Sequence, residues 1–109
     1  MNRYAWYLLL LTFVLTTVYS QDIESIKQAA ERGDADAQAR LGFMYNAGEG
    51  LPRNDTEALK WYKLAAEQGH AQGQNDLGNM YREGEGRPRN DVEASKWYTL
   101  SAKQGHPSA

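Results

Sequence analysis

A glycine-rich stretch that ends near an arginine and occurs twice is the first candidate for chemistry in this 109-residue chain. It reads YNAGEGLPRND at residues 45–55 and YREGEGRPRND at residues 81–91. Such a stretch could cradle a phosphate, but phosphate-binding and dinucleotide-binding loops follow a strand, and the former also supplies Gly-Lys-Ser/Thr. Here a glutamate separates the first two glycines and the preceding residues have a helical pattern. The sequence therefore predicts a turn between two helices.

Two arginines lie at equivalent positions in these stretches. Arg53 and Arg89 each come just before a predicted helix N terminus, where anions can bind. We expect the arginines to be solvated or to pair with Glu49, with Glu85 or with the next unit.

The two histidines also occupy equivalent positions. His70 and His106 follow Gly69 and Gly105, and a catalytic histidine would need a nucleophile and an orienting acid around it. Because they share a repeat position, we predict that both histidines open helices.

The residue types for metal and thiol chemistry are scarce. With no cysteine in the chain, neither a disulfide framework nor a thiolate site is available, and two histidines supply little metal chemistry. We predict no catalytic residue, no metal ligand and no cofactor.

Length and charge narrow the function classes further. A chain of this length has room for one small domain, too small for a large enclosed active-site cleft. The net charge of −2 and a pI near 5.6 give no reason to expect nucleic acid as a partner.

Residues 1–20 have the layout of a secretory signal peptide, and we predict that they form an N-terminal signal helix ahead of the repeats. One arginine precedes an apolar run, and small residues precede a cut after Ser20. The alternative is an uncleaved membrane anchor, but the run from Ala5 to Val18 is shorter than the roughly 20 residues that a span needs. Because no cysteine lies near the cut, a lipid-anchored lipoprotein is excluded. The prediction is a secreted or periplasmic protein of residues 21–109, with no stable membrane insertion after cleavage.

The rest of the chain is an internal repeat. Residues 34–69 align with residues 70–105 without a gap, and 22 of the 36 positions are identical. A leading helix over 22–33 corresponds to half of an earlier copy. Two complete repeats and a leading half repeat indicate a solenoid, in which each helix pair buries its apolar face on the next.

Each repeat predicts two helices, and nothing in residues 21–109 alternates with the period of a strand. The first helix of each repeat, helix A, covers 35–47 and 71–83 and ends at a glycine. The second, helix B, begins at Asn54 or Asn90, whose side chain caps the helix while the glutamate three residues later reaches back. Helix B is predicted to run to Gln68 in the first repeat and to Gln104 in the second.

Comparison of the copies separates the faces of each helix. Constant positions recur on one face of helix A, which we interpret as the stacking face, and small constant residues such as Gly42 fit a close approach of backbones. Positions that differ recur on another face, and we predict that the partner-binding residues lie there: Arg40, Phe43, Asn46, Asp76, Asn79 and Arg82. Phe43 corresponds to Asn79, so it is either covered by the leading helix or an exposed anchor.

The constant positions resemble the Sel1-like repeat family, a branch of the tetratricopeptide-like helical repeats. The resemblance covers about residues 23–106, which is practically all of residues 21–109. It rests on these residues of the first copy: Ala35, Leu41, Gly42, Tyr45, Gly48, Glu49, Gly50, Pro52, Asp55, Ala58, Trp61, Tyr62, Ala65, Ala66 and Gly69. The second copy matches except for Ser101, which replaces the first of the paired alanines. The resemblance implies an all-α right-handed superhelix with A helices on its concave side, used as an adaptor for protein partners.

The leading hypothesis is an exported, non-enzymatic protein-interaction module. The alternative is an immunity or inhibitor protein that caps a secreted toxin or envelope enzyme, which would have one tight partner. A hydrolase acting on β-lactams is disfavoured, because relatives described as binding or hydrolysing β-lactams are cysteine-rich and this chain has no cysteine. Self-association is a further hypothesis, since Trp97 and Tyr98 have no following unit to stack on and the last helix would leave apolar surface exposed.

Overall fold

The structure, a computed structural model, describes residues 3–105, with side chains for all of these except residues 16–21. It contains five helices: α1 (Arg3–Glu31), α2 (Ala35–Ala47), α3 (Asp55–Glu67), α4 (Ala71–Glu83) and α5 (Asp91–Ala102). No strand occurs within these residues. Each helix packs chiefly on its neighbours in the sequence, which confirms the all-α solenoid of antiparallel helix pairs. The bounds of both A helices, α2 and α4, are as predicted.

The leading helix is longer than predicted. Helix α1 is continuous from Arg3 to Glu31, because no glycine or proline interrupts residues 3–32. Its first half, residues 3–15, is exposed to solvent, whereas Ile26 and Ala30 pack near Leu41 and Trp61. None of the described helices is long and apolar enough to cross a membrane. The signal peptide and its cleavage after Ser20 stay predictions.

Local signals end and start the helices as the repeat predicts. Gly48 has a φ of 70° and its amide donates to the Met44 carbonyl, and Gly84 repeats this geometry at α4. Left-handed backbone of this kind strongly favours glycine. The side chain of Asn54 accepts a hydrogen bond from the Glu57 amide at 3.1 Å, and Asn90 does the same for Glu93.

Two details of the predicted B helices are wrong. Glu57 does not reach back to the Asn54 amide, because that amide already donates to the Tyr45 carbonyl at 2.9 Å. The Glu57 carboxylate instead accepts from the Trp61 ring nitrogen at 3.2 Å. The B helices also end earlier than predicted, α3 at Glu67 and α5 at Ala102.

Most of the buried apolar residues are constant between the copies, and a constant glycine lies against a tyrosine ring in each repeat. A Cβ atom at Gly42 would lie 2.7 Å from the Tyr62 ring, and one at Gly78 would lie 2.9 Å from the Tyr98 ring. Gly42 therefore makes room for a tyrosine ring, and the predicted approach of another backbone at this residue is wrong. The A and B helices of each repeat therefore meet through a glycine and a tyrosine ring.

Buried glutamines join one repeat to the next. The Gln38 side chain donates to the Ala30 carbonyl of α1 at 3.1 Å and accepts from Gln68, at the end of α3, at 2.7 Å. Gln74 makes the equivalent bonds to Ala66 and Gln104. Because a buried amide without partners would cost free energy, these bonds favour one stacking register.

Candidate functional site

The glycine loops and their arginines are structural. Arg53 forms two hydrogen bonds of 3.1 Å with the Asp55 carboxylate, and Arg89 binds Asp91 in the same way. Both arginines are solvated, as one of the two expectations had it, with 62% and 68% of their side-chain surface exposed. The carboxylate that each one binds is the aspartate two residues along, not Glu49 or Glu85, because this aspartate matches the fork of the guanidinium. The hydrogen bond to Asp55 raises the pKa of Arg53.

His70 opens α4, as predicted. Its Nδ1 accepts from the Gly73 amide at 2.9 Å, so the ring hydrogen lies on Nε2, which donates to the Asp36 carboxylate at 2.7 Å. Nδ1 thus caps the start of α4, and Nε2 links α4 to α2. His106 lies outside the described residues. Within the described part of the chain, no group of three or more His, Asp or Glu residues could hold a metal ion.

Four of the six predicted binding residues share one groove. It lies between α2 and α4, with a volume of about 200 Å³, and we call it the A-helix groove. Its lining residues are Phe43, Asn46, Tyr62, Asp76, Asn79, Met80, Glu83 and Glu85. Tyr62 comes from the intervening helix α3, so the two repeats build this groove jointly.

Phe43 is the exposed apolar residue of the groove. Half of its surface, 50%, is accessible, so the leading helix does not cover it. Its ring also borders a second groove of about 720 Å³ against α1, with Ile23, Ile26 and Arg40 among its lining residues. Phe43 therefore stands on the ridge between two grooves, a position that a partner could contact from either side.

The two asparagines of the A-helix groove are held by hydrogen bonds. The Asn46 amide donates to Glu85 and, at 3.4 Å, to Asp55. The Asn79 side chain accepts from the Tyr98 hydroxyl. Asn46 and Asn79 thus help to position the acidic and aromatic side chains around them.

Arg40 and Arg82 lie outside the A-helix groove. Arg40 is exposed and lines the grooves against α1. Arg82 lies over the Tyr98 ring at 5.8 Å from its centroid and 3.4 Å from the Glu83 carboxylate, beside α5. The six residues therefore form no single site.

The A-helix groove is acidic. Asp76, Glu83 and Glu85 line it, and no lysine or arginine is among its lining residues in the described chain. The pKa of the Tyr62 hydroxyl is raised, first by burial and then by the charges of Asp76 and Glu85. The hydrogen bond from Asn46 lowers the pKa of Glu85, but burial and the neighbouring Glu83 together raise it.

Sequence reasoning did not select Glu83 and Glu85 as binding residues. Glu83 differs from its counterpart Ala47, so the comparison of copies could have found it. Glu85 is identical to Glu49, and the sequence predicts for both only a possible pairing with an arginine. Only the structure shows that Glu85 faces the A-helix groove while Glu49 lines the groove against α1.

The outer face of α5 differs from the expectation of an exposed aromatic end. Trp97 is only 8% exposed, because its ring packs in the core. The apolar surface here comes instead from Val92, 80% exposed, and Leu100, which line a groove of about 640 Å³. Ser95 stands where the first repeat has Leu59, so this face is more polar than its internal equivalent.

These features define the class of protein: a short helical repeat protein with open grooves beside its A helices. The comparison with known families identifies it further. The model described as Sel1 repeat matches residues 35–70 and 71–106, so the chain belongs to the Sel1 repeat family. Proteins of this family generally mediate protein–protein interactions and are generally non-enzymatic.

Two solved structures are similar to the chain. One is a protective antigen present in uropathogenic Escherichia coli strains that displays an SLR fold, with 43% identity and a TM-score of 0.78 over 81% of this chain. The other is a Sel1 repeat protein from Oxalobacter formigenes, with 40% identity and a TM-score of 0.76 over 78% of this chain. The chain spans 19% of the first relative and 64% of the second. No curated protein matches it significantly.

Proposed function

We propose that this protein is an exported, non-enzymatic interaction module that presents the surface beside its A helices to a protein partner. One observation carries the proposal: five of the eight residues that line the A-helix groove differ between the two repeats. They are Phe43, Asn46, Asp76, Asn79 and Glu83. Positions that the stacking interface does not constrain are free to carry side chains that suit a partner.

Export is the second part of the proposal. Its support is the apolar run of residues 5–15, whose side chains stay exposed instead of joining the core. A signal segment needs to be apolar and need not pack on the mature domain. Expression of the full chain with a C-terminal tag, followed by sequencing of the exported product, is expected to give an N terminus at Gln21. A product that retains residues 1–20 would contradict the export proposal.

Site-specific photo-crosslinking in the source cells tests the binding proposal. A photoreactive amino acid replaces Phe43 in the tagged full chain, and a matched control carries it at Lys63, which is exposed on α3 outside the A-helix groove. We expect a defined crosslinked protein from position 43 and none from position 63. Equal crosslinking from both positions, or none from position 43, would contradict the proposed binding surface.

The same experiment separates the adaptor from the immunity protein. Irradiation is done either before or after the cell extract is diluted. An adaptor is expected to lose its crosslinked proteins when irradiation follows dilution. A single partner that still crosslinks after dilution would support the immunity or inhibitor alternative instead.

A further inference from the structure

The A-helix groove combines an exposed aromatic ring with carboxylates. Phe43 is half exposed on one wall, and Asp76, Glu83 and Glu85 line the groove beside it. Glu85 bonds to the neutral side chain of Asn46, and within the described residues no lysine or arginine makes an ion pair with it. Glu83 lies 3.4 Å from Arg82, and Asp76 accepts a hydrogen bond from Gln72. Glu85 is therefore the carboxylate of this groove for which the described residues supply no ion pair.

The size of the groove limits its occupant. Its volume of about 200 Å³ is below the roughly 300–1,000 Å³ of pockets that enclose a small molecule. A space of this size suits one side chain that a larger partner inserts. Nucleic acid and anionic membrane surfaces are unsuited to it, because their charge has the same sign as that of the carboxylates.

We propose that the A-helix groove binds an arginine side chain presented by a basic segment of a protein partner. A guanidinium group is planar, so it can stack on the Phe43 ring and at the same time donate paired hydrogen bonds to a carboxylate. Lysine would satisfy the charge but neither the stacking nor the paired hydrogen bonds. This inference rests on the proposed function, because it names the chemistry of the partner at the same surface.

We expect the carboxylates of Glu83 and Glu85 to accept the hydrogen bonds of the bound guanidinium. The hydrogen bond from Asn46 lowers the pKa of Glu85, but burial and then the neighbouring Glu83 raise it overall, as expected for a partly buried carboxylate beside a like charge. A cation between them removes this repulsion. Arg82, which is exposed and lies 3.4 Å from Glu83, can turn toward solvent when the guanidinium binds.

A peptide titration followed by NMR tests the inference. The probe is acetyl-Leu-Arg-Leu-amide, added to the isotope-labelled full chain up to millimolar concentration. The matched control is the same peptide with citrulline, which keeps the shape of arginine without its charge. We expect saturable shifts at Phe43, Asp76 and Glu83, and at least about tenfold weaker binding of the citrulline peptide, since charge-assisted hydrogen bonds are the strong ones.

The second part of the experiment measures peptide binding by variants of the protein. Glu83→Gln and Glu85→Gln are each expected to weaken the arginine peptide about tenfold, with unchanged circular dichroism. Glu67→Gln removes an equal charge from an exposed position at the end of α3, outside the groove, and is expected to leave the affinity unchanged. Phe43→Ala is expected to weaken the arginine peptide more than the matching lysine peptide, because stacking is lost.

Three results would overturn the inference: no saturable binding, equal affinity for the arginine and citrulline peptides, or shifts confined to the outer face of α5. A dimer that forms through the groove would also overturn the inference, because a second copy of the chain would then be the occupant. Such a dimer would show as sedimentation that changes with concentration in the wild type but not in Glu83→Gln. The proposed function is tested separately by the crosslink from position 43. A crosslinked partner whose binding is insensitive to Glu83→Gln and Glu85→Gln would preserve the function and reject the arginine.

Discussion

Phe43 and Leu41 lie two positions apart on α2 and have opposite environments. Leu41 is 1% exposed and Phe43 is 50% exposed. We expect Leu41→Ala to lower the free energy of unfolding by roughly 2–5 kcal/mol, while Phe43→Ala lowers it by less than about 1 kcal/mol, as is usual for surface positions. Chemical denaturation of the two variants measures this difference. Similar losses for both would assign Phe43 to the core and remove it as a binding anchor.

Glu85 predicts a pH-dependent effect on stability. Its pKa is raised above the ordinary value of 4.5, so the folded state binds the proton more tightly than the unfolded state does. The wild type therefore loses stability as the pH rises through the interval from that ordinary value to the raised one. Glu85→Gln removes this loss, so we expect it to raise the melting temperature at pH 7 and to change it less near pH 4.

Thermal melts of the wild type and Glu85→Gln at the two pH values check this sign. Glu49→Gln is the matched control, since Glu49 occupies the same repeat position but is exposed, whereas Glu85 is half-buried. A lower melting temperature for Glu85→Gln at pH 7 would mean that the hydrogen bond from Asn46 outweighs burial and the repulsion from Glu83. A binding groove whose charge costs stability is expected where function, and not folding, selects the residues.

At the residue scale, the difference between copies predicted part of the site. Residues in the stacking interface must fit the same neighbours in every repeat, so they stay constant, and Phe43, Asn46, Asp76 and Asn79 stood out because they do not. The difference between copies could not identify Glu85, because Glu85 is identical to Glu49. The two glutamates differ only in the helices that lie beside them. Distances across repeats decide such cases, and only the fold supplies them.

At the scale of the helices, the N-caps offer a direct test of local signals. The Asn54 side chain accepts from the Glu57 amide, so Asn54→Ala is expected to cost about 1 kcal/mol of unfolding free energy. Asn54→Asp keeps the acceptor and is expected to restore most of this, as measured by urea denaturation. Equal losses for the alanine and aspartate variants would mean that the cap bond contributes little.

Helix ends with a side-chain or glycine signal were predictable, and others were not. Gly48 and Asn54 act through their own backbone or the next turn, so their effect can be read from adjacent residues. The junction near Ser20 carries no such signal, and α1 continues through it as one helix. The acceptor of the Asn54 amide is the carbonyl of Tyr45, nine residues earlier, a contact that depends on how the whole turn folds.

At the scale of the molecule, α1 combines two segments with different relations to the repeats. The described side chains of its first half are exposed, whereas Ala30 in its second half is 1% exposed and its carbonyl accepts from Gln38. In a solenoid each unit is stabilised by its neighbours, so the second half of α1 stabilises the first repeat by packing on it. The first half adds length but no core.

Two truncations therefore have different expected outcomes. Removal of residues 2–20 is expected to leave the melting temperature nearly unchanged, because the described side chains in this range are exposed. Removal of residues 2–33 is expected to lower it strongly, because Leu41 and Trp61 lose their contacts with Ile26 and Ala30 and the buried Gln38 loses its acceptor. Thermal melts at equal protein concentration compare the two. A large loss from the shorter truncation would mean that the apolar segment packs on the repeats, and it would then act as a structural element instead of a removable signal.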